Sequence, residues 1–207
     1  MSVTVVILRR ARPGEGPRLL EAACRLFAQR FAADPALRAA RILQQIDDPE
    51  RFLLAGDWTS REAYWCGLDR FPSHAEIDAL SAEPPRRLFF QRVTIAEDAS
   101  RQPEVVRAVM LELPDDSAGR QIALRRGLLP RLRQRPGFVF QHLLQDLDDP
   151  RRLLFVYGWT GEHEMLAGHR AIREWLGAAY PGPETLVLTF QGRARLRLSR
   201  LPAALVG

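Results

Sequence analysis

One stretch of thirteen residues constrains this chain more than any other, because it occurs twice. The second copy is Asp148-Asp149-Pro150-Arg151-Arg152-Leu153-Leu154-Phe155-Val156-Tyr157-Gly158-Trp159-Thr160. The first is Asp47-Asp48-Pro49-Glu50-Arg51-Phe52-Leu53-Leu54-Ala55-Gly56-Asp57-Trp58-Thr59. At a constant offset of 101, seven of the thirteen positions are identical, where roughly one match is expected by chance. A period this long is too wide for a solenoid and reads as a duplicated small domain. With 207 residues, two units of about a hundred each can hold cores, but modest ones, so pairing helps them.

The repeated stretch has a physical reading. Asp-Asp-Pro is turn chemistry, since Asp side chains bond nearby backbone and Pro presets φ. Apolar residues flank it: Ile42, Leu43 and Ile46 before the first turn, and Leu143, Leu144 and Leu147 before the second. Strand, tight turn, strand is a hairpin. Thr59 and Thr160 then stand where a helix N-cap is needed.

Around each hairpin the pattern repeats. Val3 to Arg9 reads as a strand, and Leu19, Leu20, Ala23, Leu26, Phe27 and Phe31 recur at helical spacing up to about Ala33. After the hairpin, 60–82 reads as helical with an interruption at Phe71-Pro72-Ser73, and Leu88 to Ile95 is the closing strand. The second half predicts a strand at 105–112, a helix from Ser117, a hairpin over 138–159, a helix at 161–177 and a strand at 185–191. Pro130 is expected to end or kink the first of these helices near Leu129. The order β-α-β-β-α-β is the ferredoxin-like unit. We therefore expect α+β domains at 1–96 and 104–200, joined by the polar stretch Ala96 to Pro103.

Such a sheet carries helices on one face only. The third strand of each half is nonetheless apolar on both faces: Phe52 and Leu54 against Leu53 and Ala55, then Leu153 and Phe155 against Leu154 and Val156. The bare face needs a cover, and the other half of the same chain supplies one. The expected architecture is an intramolecular pseudo-dimeric α/β barrel with helices outside.

Composition narrows the function classes. All thirty basic residues are Arg, with no Lys and no Asn in the chain, which reads as genomic base composition. The net charge of +5 and a pI near 10.1 permit nucleic-acid binding. However, the Arg residues are scattered among acids. The one cluster, Arg193, Arg195, Arg197 and Arg200, alternates with Ala194, Leu196 and Leu198 as an exposed strand edge would. No nucleic-acid partner is expected. No apolar run reaches membrane-spanning length, and the first strand is too short for a signal-peptide core, so a cytoplasmic protein is expected. Cys24 and Cys66 lack any metal-ligand spacing and are expected to be buried, reduced and structural, with no metal site.

The motifs Arg135-Pro136-Gly137-Phe138, Asp149-Pro150 and Trp159-Thr160-Gly161-Glu162 resemble the antibiotic biosynthesis monooxygenase family, of the dimeric α/β-barrel superfamily. In the first half the matching stretches are Asp48-Pro49 and Trp58-Thr59-Ser60-Arg61-Glu62-Ala63-Tyr64, with Asp34-Pro35-Ala36-Leu37 where Pro-Gly is expected. The resemblance covers nearly the whole chain as two copies, and it implies that one chain carries both halves of a barrel that family members usually build by dimerising. The family includes cofactor-independent oxygenases of phenolic polyketides, haem-degrading enzymes and quinol oxygenases, with a pocket between sheet and helices in each half. Trp159 and His169 match the Trp and His that line it in the haem-degrading branch. In the first half Trp58 remains but His169 is matched by Leu68, and the Asn that this branch uses on its first strand has no counterpart here.

The candidate site follows. His169 and Trp159 are the catalytic candidates, His169 because an imidazole in an apolar pocket exchanges a proton near neutral pH. Tyr157 and Phe155 share the face of Trp159 by strand alternation. His142 and the matching Arg41 lie on the second strands, where an Arg could hold a phenolate or carboxylate. Trp58 is the first-half counterpart of Trp159. Each has a plainer reading as core, surface or interface residue. Because Arg41, Gly56 and Leu68 replace His142, Tyr157 and His169, the second half is expected to carry the working site, with His74 as the one residue that could serve the first.

Three functions are compatible with these residues. One is an oxygenase or related pocket enzyme acting on a small aromatic or quinol-type molecule, with no metal or flavin held by the protein. Another is a non-catalytic small-molecule binder or structural pseudo-dimer. The third is haem binding or degradation through His169. A homodimer of pseudo-dimeric barrels is the further association considered.

Overall fold

The computed structural model describes residues 2–70, 74–97, 100–114, 117–179 and 185–199. Its elements run β1 (Val3–Arg10), α1 (Gly16–Ala33), β2 (Leu37–Gln45), β3 (Arg51–Trp58), α2 (Arg61–Arg70), α3 (His74–Leu80) and β4 (Arg86–Glu97). The second half continues β5 (Val105–Glu112), α4 (Ala118–Arg133), β6 (Phe138–Asp146), β7 (Arg152–Trp159), α5 (Glu162–Ala179) and β8 (Thr185–Ser199). The strand order β1-β3-β2-β8-β5-β7-β6-β4 closes on itself as a barrel. The expected α+β pseudo-dimeric barrel of two ferredoxin-like repeats is what the chain forms.

The chain divides into two compact units. One takes the chain up to Gln91 together with the stretch from Gly192, and the other takes Arg92 to Gln191. β4 and β8 therefore each belong partly to both units.

Each hairpin is held by the turn that the repeat encodes. The Arg51 amide donates to the Asp48 carbonyl at 3.0 Å and the Arg152 amide to the Asp149 carbonyl at 2.9 Å. The Asp48 carboxylate accepts from the Glu50 amide and that of Asp149 from the Arg151 amide, the Asx turn that favours Asp here. Gln44 and Gln145 donate from Nε2 to the carbonyls of Pro49 and Pro150 at 2.8 and 2.9 Å, so the matching contacts extend into the preceding strands.

In the first unit, Val3, Val5 and Ile7 of β1, Leu37, Ala40 and Ile42 of β2, and Phe52, Leu54 and Trp58 of β3 form one cluster. Leu19, Ala23, Leu26 and Phe27 of α1 and Ile77 and Leu80 of the α3 segment complete it. This is the period-2 face of a sheet meeting the period-3.6 stripe of a helix. In the second unit α4 buries Gln121, Arg125, Leu128 and Leu132. Set against α1 at an offset of 102, those positions answer Leu19, Ala23, Leu26 and Arg30, so two apolar positions have become polar.

Several expectations are corrected. α4 does not end at Leu129 but runs through Pro130 to Arg133. Pro130 is exposed, so the carbonyl it leaves without an amide faces water, while buried Leu128 and Leu132 hold the opposite face. The cap of α2 is Ser60, whose Oγ accepts from the Ala63 amide at 3.1 Å, one residue after Thr59. The Arg-rich stretch near the C-terminus is no strand edge, because Arg193 to Ser199 pairs with β2, and the Arg195 Nε donates to Gln44. Arg200 lies outside the described residues, as does the interruption at Phe71-Pro72-Ser73. Cys66 is exposed and Cys24 half-buried, because both fall on helix flanks rather than on the core stripe. No described helix is long and apolar enough to cross a membrane.

Candidate functional site

The first unit encloses a pocket between β1, β3 and the helices α1, α2 and α3. Val5, Ile7, Leu26, Phe27, Leu54, Gly56, Trp58 and Ile77 form apolar walls, and Arg9, Arg30, Tyr64 and His74 bring polar groups to it. Its cavity of about 20 Å³ has room for about one water molecule. Gly56 is what leaves the space: a Cβ there would stand 2.7 Å from the Trp58 Nε1. The Trp58 ring lies in turn against Gly67 of α2, where a Cβ would come within 3.2 Å of Cζ3.

The polar groups of this pocket are cationic or neutral. Arg30 is 3% exposed, and its Cζ stands 5.6 Å from the Trp58 ring centroid, within cation–π range. Arg9, also buried, is paired through Nη1 with Asp78 at 2.7 Å and donates to the Ser81 hydroxyl at 3.0 Å. The Tyr64 oxygen accepts from the Arg87 Nε at 3.0 Å, which leaves the phenolic proton free to be donated. Burial raises the Tyr64 pKa against the opposing pull of Arg87, so the phenol stays protonated.

His74, the first residue of α3, has both ring nitrogens buried without a hydrogen-bond partner. Desolvation first, then the positive charges of Arg30 and Arg9, lower its pKa to about 4. The imidazole is therefore neutral at pH 7, with one nitrogen open as a proton acceptor. Neither nitrogen is spent on a contact of the fold, so both are open to a water or a ligand in the cavity.

In the second unit the position of Gly56 carries a large side chain. Tyr157 stands where Gly56 does, and its oxygen accepts from the Arg125 Nη1 at 3.1 Å. The Arg125 guanidinium lies 4.3 Å from the Phe155 ring centroid, and its carbonyl accepts from the Gln141 Nε2 at 3.2 Å. Trp159, 1% exposed, meets Phe138 edge-on at 5.4 Å and lies flush on Gly168 of α5, where any Cβ would collide with the indole. His169 is half-buried, and burial, then Arg107, Arg173 and Arg125, lower its pKa to about 4.

The structure places Phe155, Tyr157 and Trp159 on the helix-facing side of β7, as alternation requires, and His169 on α5 near Arg107, Arg173 and Arg125. It does not bring His142 or Arg41 to the corresponding sites. His142 pairs with Val156, stacks on Phe140 at 4.6 Å and points to the other face of β6, since Gln141 is the residue that bonds to α4. Arg41 pairs with Ala55 and Arg197, on the face opposite Ala40 and Ile42, while Trp58 lines the first pocket. The sequence reading passed over Arg9, Arg30, Tyr64 and Arg87 in the first unit and Arg107 and Arg125 in the second. The signal for the α1 and α4 residues was available: Arg30 and Arg125 fall on the buried stripes of their helices.

The second described cavity, about 320 Å³, is an open groove between α4 and α5 lined by Leu128, Arg131, Leu132, Ile172 and Trp175 among others. It contains no His or Cys to ligate iron, and the first pocket is far too small for a macrocycle, so neither described cavity fits haem. No group of three or more metal-ligating side chains occurs among the described residues.

No family model matches the sequence, and no curated protein matches it. Solved structures do match in fold. One, named "Putative monooxygenase" and from Fusobacterium nucleatum subsp. nucleatum, is 5% identical with a TM-score of 0.76, over 96% of this chain and 94% of that one. An anthrone oxidase-like protein is 14% identical with a TM-score of 0.70, over 98% and 94%. A ferredoxin-fold protein from Listeria monocytogenes, described as related to antibiotic biosynthesis monooxygenases, is 10% identical with a TM-score of 0.55, over 93% and 95%. Identities this low speak to fold alone: along its whole length, this chain has the fold of proteins related to antibiotic biosynthesis monooxygenases.

Proposed function

We propose that the protein is a pocket enzyme that oxygenates a small phenolic or quinol-type aromatic without a protein-bound cofactor, and that the reaction belongs to the first unit. The observation that carries this reading is His74, a neutral imidazole with two unpartnered nitrogens beside a Tyr64 hydroxyl that is free to donate. His74 takes an acidic proton from a ring methylene of the substrate, and the positive charges of Arg30, Arg9 and Arg87 favour the resulting anion. Tyr64 donates to the substrate oxygen on which that charge delocalises. An electron-rich anion of this kind passes an electron to dioxygen. The radical pair then joins as a peroxide anion, which takes back the proton held by His74 to become a hydroperoxide. Loss of water leaves a carbonyl. In balance, the methylene gives up both hydrogens and keeps one oxygen atom of dioxygen, while the other oxygen leaves with those hydrogens as water. The apolar walls and Trp58 hold the ring and exclude solvent. The names of the fold neighbours, a monooxygenase and an anthrone oxidase-like protein among them, support the reaction class.

An aromatic ring exceeds a cavity of about 20 Å³, so binding must displace wall side chains. The same observation favours the second reading, a non-catalytic binder or structural pseudo-dimer. Oxygen uptake with a panel of anthrones, phenols and quinols decides between them. The enzyme reading expects substrate-dependent uptake that falls by about a hundredfold in His74→Ala and less in Tyr64→Phe. Uptake equal to the protein-free control across the panel, or unchanged in His74→Ala, removes that reading.

A further inference from the structure

The second unit holds one buried and one half-buried guanidinium, and no described carboxylate is paired with either. Arg125 of α4 is 6% exposed. Arg107 of β5 is half-buried and stands opposite Tyr157 in the β5–β7 register, the same tyrosine whose oxygen Arg125 reaches. The Nε of each guanidinium is buried without a hydrogen-bond partner. Arg173, one turn beyond His169 on α5, adds a third positive charge, and burial and then Arg173 lower the pKa of Arg107. Among the described residues no carboxylate pairs with Arg107 or Arg125. In the first unit, buried Arg9 is paired with Asp78.

A buried guanidinium without a counter-charge is costly, and the Phe155 ring under Arg125 offsets only part of that. The Arg107, His169 and Arg173 side opens to solvent, with Arg173 exposed. A neutral His169 there can donate an N–H to an oxygen, and guanidinium groups match oxyanions in fork geometry.

We propose that the second unit is a binding site for a small oxyanion, a carboxylate or inorganic phosphate, received by Arg107 and Arg125 at the mouth formed with His169 and Arg173. The site is independent of the reaction assigned to the first unit. An anionic ligand bound here stabilises this unit by mass action.

The test uses the full chain in low-chloride buffer, titrated calorimetrically with sodium phosphate and, separately, with sodium benzoate. Saturable binding of at least one of them, at one site per chain, is expected, and the stronger ligand tells which source the oxyanion comes from. Binding should weaken by about tenfold in Arg107→Gln and remain unchanged in Arg38→Gln, where an exposed β2 arginine is removed. Should Arg107→Gln misfold, Arg173→Gln at an exposed helix position gives the same reading with a loss of roughly threefold. His74→Ala should bind as the parent does, which separates this site from the first unit's. No saturable binding of either ligand, binding unaffected by both Arg107→Gln and Arg173→Gln, or binding lost in His74→Ala would each overturn the proposal.

Discussion

The two units hold the same tryptophan in the same place and treat the space beside it in opposite ways. In the first, Gly56 leaves room next to Trp58, and His74, Tyr64 and Arg30 converge on it. In the second, Tyr157 occupies the Gly56 position and Arg125 ties down its hydroxyl. The two units share a frame and differ in its contents. The unpartnered His74 nitrogens at the first cavity suit a substrate, whereas the Arg107 and Arg125 guanidinium groups beside His169 suit an anion.

The strongest contrast lies in how tightly each indole is seated. A methyl group at Gly168 collides with the Trp159 ring, whereas at Gly67 it only makes a tight contact with Trp58 at 3.2 Å. Gly168→Ala should destabilise the protein by about 2–3 kcal/mol, the cost of overpacking. In Gly67→Ala a helix-propensity gain of about 1 kcal/mol should nearly offset the strain. Urea denaturation followed by far-UV circular dichroism measures both. Equal losses would mean that the two indoles are packed alike.

The next contrast concerns the two tyrosines. Tyr157→Phe takes the acceptor from buried Arg125 and should cost about 2 kcal/mol. Tyr64→Phe frees Arg87, which is half-buried and can turn to water, so it should cost less than about 1 kcal/mol. Equal stabilities of the two variants would show that the Arg125 contact is not the tighter one.

A smaller effect is shared by both units. His74 and His169 each have a folded pKa of about 4 against the ordinary 6.5, so the unfolded chain binds protons that the folded chain refuses. Stability should be complete above about pH 6.5 and fall as the pH drops towards 4. After discounting for the half-exposure of both rings, the loss between pH 7 and pH 5 is on the order of 1 kcal/mol for each. Thermal midpoints against pH should flatten stepwise in His74→Gln and in His169→Gln. A slope unchanged in both variants would place the effect elsewhere.

The frame shared by the two units was legible in the sequence because turns and strand ends are local. Asp-Asp-Pro and Trp-Thr encode themselves, and the apolar third strands pointed to a sheet with no bare face. The contents of the two spaces were not legible, because they depend on how helices are rotated. α1 and α4 align at an offset of 102 rather than 101, and only that shift shows Arg125 in the place of Ala23. Tyr64 and Arg87 are 23 residues apart, a contact that no spacing rule reveals. His74 could not be placed from sequence because it opens a short separate helix, whereas its match in the second half, Trp175, lies inside the continuous α5. These residues move the proposed reaction to the first unit, whereas the sequence favoured the second, where the titratable residues follow the duplicated motif.

The decisive measurement compares two double variants for oxygen uptake with the best substrate of the panel: His74→Ala with Trp58→Phe, and His169→Ala with Trp159→Phe. Circular dichroism first establishes that each is folded. The first pair should lose turnover by about a hundredfold or more, while the second keeps it within about threefold of the parent. Loss confined to the His169 and Trp159 pair would contradict a first-unit reaction and place the chemistry in the second unit.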